Sequence, residues 1–212
     1  MYVALLTLLA PALATAIPAP HLYPEVFDRS ASAAPSSISI NGITYGGTGC
    51  PQGTLNASIS DDGKILPLVF GDDFSASVGP NVAITESRKF CQINLDIDFS
   101  AGFQYAVYSA DYIGYADLDS GVQASITALY YFSGQTAQVI TEAEINGPFT
   151  GYYDKHDDIA IATWSPCGSQ GLLNINSQIA LTSSSDSQSG IVSTEKIKAS
   201  FVHQLYIKWR SC

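Results

Sequence analysis

Five aspartates between Asp96 and Asp119 are the densest carboxylates in the chain: Asp96, Asp98, Asp111, Asp117 and Asp119. Alternate residues of a strand point to one face, so Asp96 with Asp98, and Asp117 with Asp119, each read as a like-charge pair. Clustered hard oxygens bind Ca²⁺, and paired carboxylates do the acid–base work of glycosidases. The plainer role is a solvated face, because Asp96 and Asp98 fall on the polar side of an amphipathic run and neither an EF-hand loop nor a glycosidase signature accompanies them. Ca²⁺ is the one cofactor left open; otherwise none is expected. In Lys155-His156-Asp157-Asp158 a histidine stands beside carboxylates that could tune it or share a metal with it. A solvated turn is the alternative. His203 falls on the apolar face of the last strand and reads as a hydrogen-bonded core histidine.

Neither G-x-S-x-G nor H-E-x-x-H occurs, and Ser193-Thr194-Glu195-Lys196 fits S-x-x-K by chance beside a serine run. No catalytic residue is assigned. Tyrosines are the better lead, because a flat apolar ring with a polar tip suits stacking on sugar or a partner surface. Tyr105 and Tyr108 lie on opposite strand faces, and Tyr112, Tyr115, Tyr152 and Tyr153 sit near turns. These six form the candidate ligand surface, with filling of the core edges as the alternative. Asn56-Ala57-Ser58 is an N-glycosylation sequon on an exposed strand or loop.

The elements that must position these groups read as short strands. From Cys91 to Phe99, Ile93, Leu95, Ile97 and Phe99 share one face while Gln92, Asn94, Asp96 and Asp98 share the other, the pattern of a half-buried strand. Ser100-Ala101-Gly102 reads as a turn into Phe103–Ser109. Further strands are expected at Ile38–Tyr45, Thr54–Ser60, Lys64–Phe70, Phe74–Val78, Val122–Phe132, Thr136–Ile145, Ile159–Trp164, Leu172–Leu181 and from Phe201 to the last residues, with Tyr152–Asp158 as a loop. No helical period survives over a long window. The fold class is all-β: an antiparallel two-sheet β-sandwich, jelly-roll-like, with a closed barrel as the alternative.

Of 212 residues, 46% are hydrophobic and only 13% charged, so a sizeable core forms and the surface leans on neutral polar side chains. The formal net charge of -10 disfavours a nucleic-acid partner, whose phosphates call for Lys and Arg. Val3–Leu13 is a short apolar run followed by Ala14-Thr15-Ala16, the small residues of a signal-peptide cleavage site, although no Lys or Arg precedes it. The run is too short to span a membrane, which takes about 20 apolar residues. Residues 1–16 thus read as a secretory signal, 17–37 as a disordered Pro/Ala/Ser leader and 38–212 as a single domain, secreted and expected to be monomeric.

Four cysteines, Cys50, Cys91, Cys167 and Cys212, in a secretory context imply two disulfides among three connectivities. Sequential pairing, Cys50 with Cys91 and Cys167 with Cys212, is favoured because it staples each half of a sandwich. No two cysteines stand at zinc-ligand spacing.

Ile43-Thr44-Tyr45-Gly46-Gly47-Thr48-Gly49-Cys50-Pro51, Ser87–Gln92, Gly102–Tyr105, Tyr130–Gly134, Trp164-Ser165-Pro166-Cys167-Gly168 and the final Cys212 together resemble the small secreted fungal proteins of the domain of unknown function 4360 family. The resemblance implies secretion and a four-cysteine β domain, and carries no catalytic residues. The expected function is a non-catalytic extracellular or cell-wall protein that binds glycan. The rivals are a polysaccharide hydrolase using Asp96/Asp98 or Asp117/Asp119, and an effector that meets a host protein.

Overall fold

The structure, a computed structural model, describes residues 34–161, 163–193 and 201–212. The expected signal and most of the leader lie outside these residues, as does most of the S-x-x-K match. Eleven strands are described: β1 (Ile38–Gly46), β2 (Leu55–Ala57), β3 (Ile65–Phe70), β4 (Ala76–Val78), β5 (Arg88–Leu118), β6 (Val122–Phe132), β7 (Gln138–Asn146), β8 (Phe149–Asp158), β9 (Gly168–Ser183), β10 (Gly190–Ser193) and β11 (Phe201–Ser211). One 3-10 turn, Ile84–Ser87, leads into β5.

β5 organises the rest. Its first half pairs with β1 on one side and β9 on the other, and β6 and β7 follow β9. Its second half pairs with β11 and then β10 along one edge and with β8 along the other; β3 and β2 follow β11, and β4 follows β10. Every pairing is antiparallel. The expected turn at Ser100-Ala101-Gly102 is instead a bend inside one strand, where the ladder to β9 breaks between Asp98 and Phe103 and Gly102 takes φ 86°. A glycine within a strand marks such a corner because it reaches positive φ without steric cost. β5 therefore hands the chain from a first leaf (β1-β5-β9-β6-β7) to a second (β2-β3-β11-β5-β8, with β10 and β4).

The leaves lie face to face. In a flat sheet β6 and β11 would stand three strand steps apart, about 14 Å. Yet Tyr130 of β6 and His203 of β11 meet at 2.6 Å between the Tyr130 hydroxyl and Nε2. Between the leaves the alternation delivers Ile93, Leu95, Ile97 and Phe99 of β5, Val122 to Phe132 of β6 and Phe201 to Trp209 of β11. Tyr105 packs edge-on against Phe132 at 5.0 Å and lies 5.2 Å from Trp209. The sandwich reading holds, with the two layers joined through a shared strand.

Both disulfides form as the sequential pairs, Cys50–Cys91 and Cys167–Cys212. Each closes a loop of 41 or 45 residues, worth about 4 kcal/mol by the loop-entropy estimate. Ordered chain reaches back into the expected leader: the Ser100 N–H donates to Ser37 O at 3.1 Å and the Ser36 hydroxyl meets Ser100 Oγ at 2.8 Å.

Two other expectations change. Tyr152–Asp158 is part of strand β8, not a loop, because its ladder to Ser109–Leu118 overrides the turn-prone composition. The described residues of Ile159–Trp164 are coil rather than strand.

Candidate functional site

The outer face of the first leaf carries rows of amides. Gln92, Asn176, Leu129 and Ile140 stand in register across β5, β9, β6 and β7. Beside that row run Phe90, Gln178, Thr127 and Glu142; on its other flank run Asn94, Asn174, Tyr131 and Gln138. Alternation puts them all outward, since Cys91, Ile93, Ile175 and Ile179 turn inward to the core. A groove of about 520 Å³ opens over the centre, lined by Arg88, Phe90, Gln92, Thr127, Leu129, Ile140, Asn176 and Gln178. Its apolar walls, Phe90 and Ile140, are open to solvent, 44% and 65% exposed, and polar side chains stand between them.

The polar groups of this face differ in what they hold. The Asn94 amide donates to Asn174 Oδ1, and Asn174 Nδ2 donates to Ser133 Oγ at 3.0 Å. Arg88 Nε donates to Gln178 Oε1 at 2.7 Å. Asn176 Oδ1, by contrast, is covered and has no hydrogen-bond partner among the described residues. A buried acceptor without a donor calls for a reason, because most such atoms are satisfied. Asn176 is one of the residues that line the groove, with this oxygen covered beneath it.

The outer face of the second leaf is built differently. Gln204, Asp111 and His156 stand in one row across β11, β5 and β8. His156 Nδ1 meets Asp111 Oδ1 at 2.5 Å and the Tyr206 hydroxyl donates to Asp111 Oδ2 at 2.5 Å. Gln204 Nε2 donates to the Tyr206 oxygen at 2.7 Å, and His156 Nε2 meets Asp158 Oδ1 at 3.1 Å. Hydrogen bonds to Asp111 and then Asp158 raise the His156 pKa above the ordinary histidine value. Asp111 likewise raises that of Tyr206. Every named group here already has a partner in the cluster.

The five aspartates do not come together. Asp96, on the first leaf, accepts from Asn41 Nδ2 at 2.9 Å and from Gln170 Nε2 at 2.8 Å, with Asp98 two residues along the same strand. Asp111 serves the second leaf. At the far end of β5, Asp117 accepts from the Thr150 hydroxyl at 2.8 Å, while Asp119, past the strand end, accepts from the Ser189 N–H at 2.7 Å. Among the described residues no group of three or more His, Cys, Asp or Glu is placed to hold a metal ion.

The tyrosine surface also needs correction. Tyr105, Tyr112 and Tyr153 are buried, and Tyr115 is only 6% exposed, its ring packed edge-on at 5.5 Å against Tyr152. Their faces turn inward or under a neighbour, so they serve packing. Tyr108 and Tyr152 are exposed. His203 is fully buried as expected, between the Tyr130 hydroxyl and Ser177 Oγ at 3.1 Å, and burial pushes its pKa down to about 3.

Phe90, Asn176 and Ile140 were not singled out from the sequence. The usable signal was the run of amides at alternate positions, Gln92 and Asn94 on β5 and Asn174, Asn176 and Gln178 on β9, which share a face once the strands pair.

The domain of unknown function DUF4360 matches residues 36–212. The chain belongs to this family. The chain is also similar to an uncharacterized secreted protein of Arthroderma benhamiae, 43% identical over 180 residues, which cover 84% of this chain and 73% of that one. The DUF4360 chain described here is a secreted protein, in keeping with its two disulfides. Among solved structures, a TmCBM61 module in complex with beta-1,4-galactotriose aligns over 77% of this chain and 89% of its own at 9% identity and a TM-score of 0.29. A family 11 carbohydrate-binding module from Clostridium thermocellum, in complex with a mixed-linked tetrasaccharide, covers 79% and 94% at 4% identity and a TM-score of 0.21. Likenesses this slight carry no argument about the site.

Proposed function

We propose that this DUF4360 domain is a non-catalytic module that holds a neutral extracellular polysaccharide across the outer face of its first leaf. The observation that carries the reading is the orphan Asn176 Oδ1 under the groove between Phe90 and Ile140. Once the side chains that cover it shift aside, a sugar hydroxyl would give that acceptor its missing donor, while the apolar walls meet the C–H faces of the ring. Gln92, Gln178 and Thr127 add donors and acceptors suited to several hydroxyls. The lining includes no Asp or Glu, so the groove itself offers no acid–base pair for hydrolysis. Glu142 and Glu144 on β7 and a net charge of -10 disfavour acidic polymers.

The test is retention of the mature chain on a panel of insoluble polysaccharides, with released sugar assayed from the same tubes. Retention on a neutral polymer without sugar release, abolished by Phe90→Ala, is the expected result. Sugar release would replace binding by hydrolysis, and absence of retention on every polymer would remove glycan from the account.

A further inference from the structure

We propose that Asn56 carries an N-linked glycan whose inner sugars cover an apolar stripe and the open edge of the second leaf. Asn56-Ala57-Ser58 is the one Asn-X-Ser/Thr sequence in the chain. Asn56 and Ser58 are exposed, and Asn56 sits in β2, which pairs only with β3 in the described sheet. The register places Asn56 opposite Val69, Val69 opposite Val202, and Val202 opposite Ile113. Three half-exposed aliphatic side chains therefore run across β3, β11 and β5 from the asparagine toward the middle of the face.

An edge strand with free N–H and C=O groups invites pairing with another chain, and proteins blunt such edges with charge, proline or a cover. β2 reads Leu55-Asn56-Ala57; its three residues keep the open edge short, but it has neither charge nor proline. A bulky, solvated glycan at its centre supplies the cover. Leu55, its neighbour, turns into the core, so Asn56 points away from it to the outer side of the second leaf. The groove lies on the outer side of the other leaf, so the glycan leaves it open; the inference does not depend on what the groove binds.

The attachment is a group transfer. The Asn56 side-chain nitrogen attacks the anomeric carbon of an oligosaccharide diphosphate carried on a lipid. The new C–N bond replaces the C–O bond to the diphosphate, which departs as the anion, and the amide proton passes to a base of the transferase.

The experiment is secretion of the full chain from a eukaryotic host, with intact mass measured before and after endoglycosidase and self-association followed by light scattering. The wild-type mass is expected above that of the polypeptide and to fall on digestion, with N56Q and S58A both secreted at polypeptide mass. Folded protein stripped enzymatically is expected to self-associate at concentrations where the glycosylated form stays monomeric. A wild-type chain at polypeptide mass overturns the site. A glycan whose removal leaves the protein monomeric overturns the shielding role.

Discussion

The two outer faces arise from the same alternation along β5, yet they spend their polar groups in opposite ways. On the second leaf Asp111, His156, Tyr206, Gln204 and Asp158 hydrogen-bond one another. On the first leaf Asn176 keeps a covered carbonyl oxygen unpaired beside exposed Phe90 and Ile140. A cluster that satisfies itself has little left to offer a ligand, because a newcomer must first break existing bonds. An unpaired acceptor already carries the cost of desolvation, of about 1–3 kcal/mol, and recovers it only when a donor arrives. In the proposed reading, a dense group of charges is thus a poorer guide to a binding site than one amide without a partner.

The largest expected effect separates both faces from the core they share. His203 is neutral when folded because burial lowers its pKa to about 3. A base with a depressed folded pKa is protonated first in the unfolded chain, so its contribution is complete above about pH 6.5 and is lost as pH falls from there toward 3. The slope is on the order of 1 kcal/mol per pH unit. Urea melts at descending pH check it: Tyr130, Tyr112 and Ser177 surround this ring, and removal of the histidine with repacking should flatten the acid limb without touching polysaccharide retention.

Next in size is Phe90→Ala, which takes away the exposed aromatic wall. Partial burial of a phenylalanine under a sugar is worth about 1.5 kcal/mol, so affinity should fall about tenfold at unchanged thermal stability. Tyr108→Ala, on the opposite face, should leave affinity alone. Equal losses from the two changes would erase the distinction between the leaves.

Asn176→Ala sharpens it further. A single neutral hydrogen bond contributes about 0.5–1.5 kcal/mol, a several-fold loss in titration with a soluble oligosaccharide. The free protein should be as stable as before or slightly more so, because the change deletes an unsatisfied group. A clear drop in stability would mean that the oxygen has a partner in the folded protein.

The smallest effect belongs to the second leaf. His156 has a raised pKa, so its stabilisation is present below about pH 6.5 and fades as pH rises through the raised value. Exposed pairs of this kind are worth about 0.2–1 kcal/mol. Asp111→Asn should shrink that slope, the Asp158 hydrogen bond remaining, and leave binding intact.

Much of this architecture was legible in the chain. Ile93, Leu95, Ile97 and Phe99, and the alternate residues of Val122–Phe132, declared their buried faces, and His203 declared itself a core residue by the same rule. The cysteines allowed only three pairings, and sequential pairing was the one adopted. β8 was hidden because Tyr152–Asp158 has little apolar alternation and takes its strand form from its neighbour in β5. The bend at Gly102 looked like a hairpin turn because a glycine serves both. The tyrosines misled, since type and nearness to turns do not say which side of a strand faces solvent: Tyr112 and Tyr153 turn inward while Tyr152 turns outward. The groove was least legible of all. Phe90, Thr127, Ile140 and Asn176 come from four strands, and only the register brings them together.

The most direct measurement is retention on insoluble neutral polysaccharide by three proteins side by side: the mature chain, a Phe90→Ala/Asn176→Ala variant and a Tyr108→Ala/Asp111→Asn variant, each shown to be folded. The account predicts that the first and third are retained alike and the second is not. Retention of the second with loss of the third would place binding on the other leaf and contradict it.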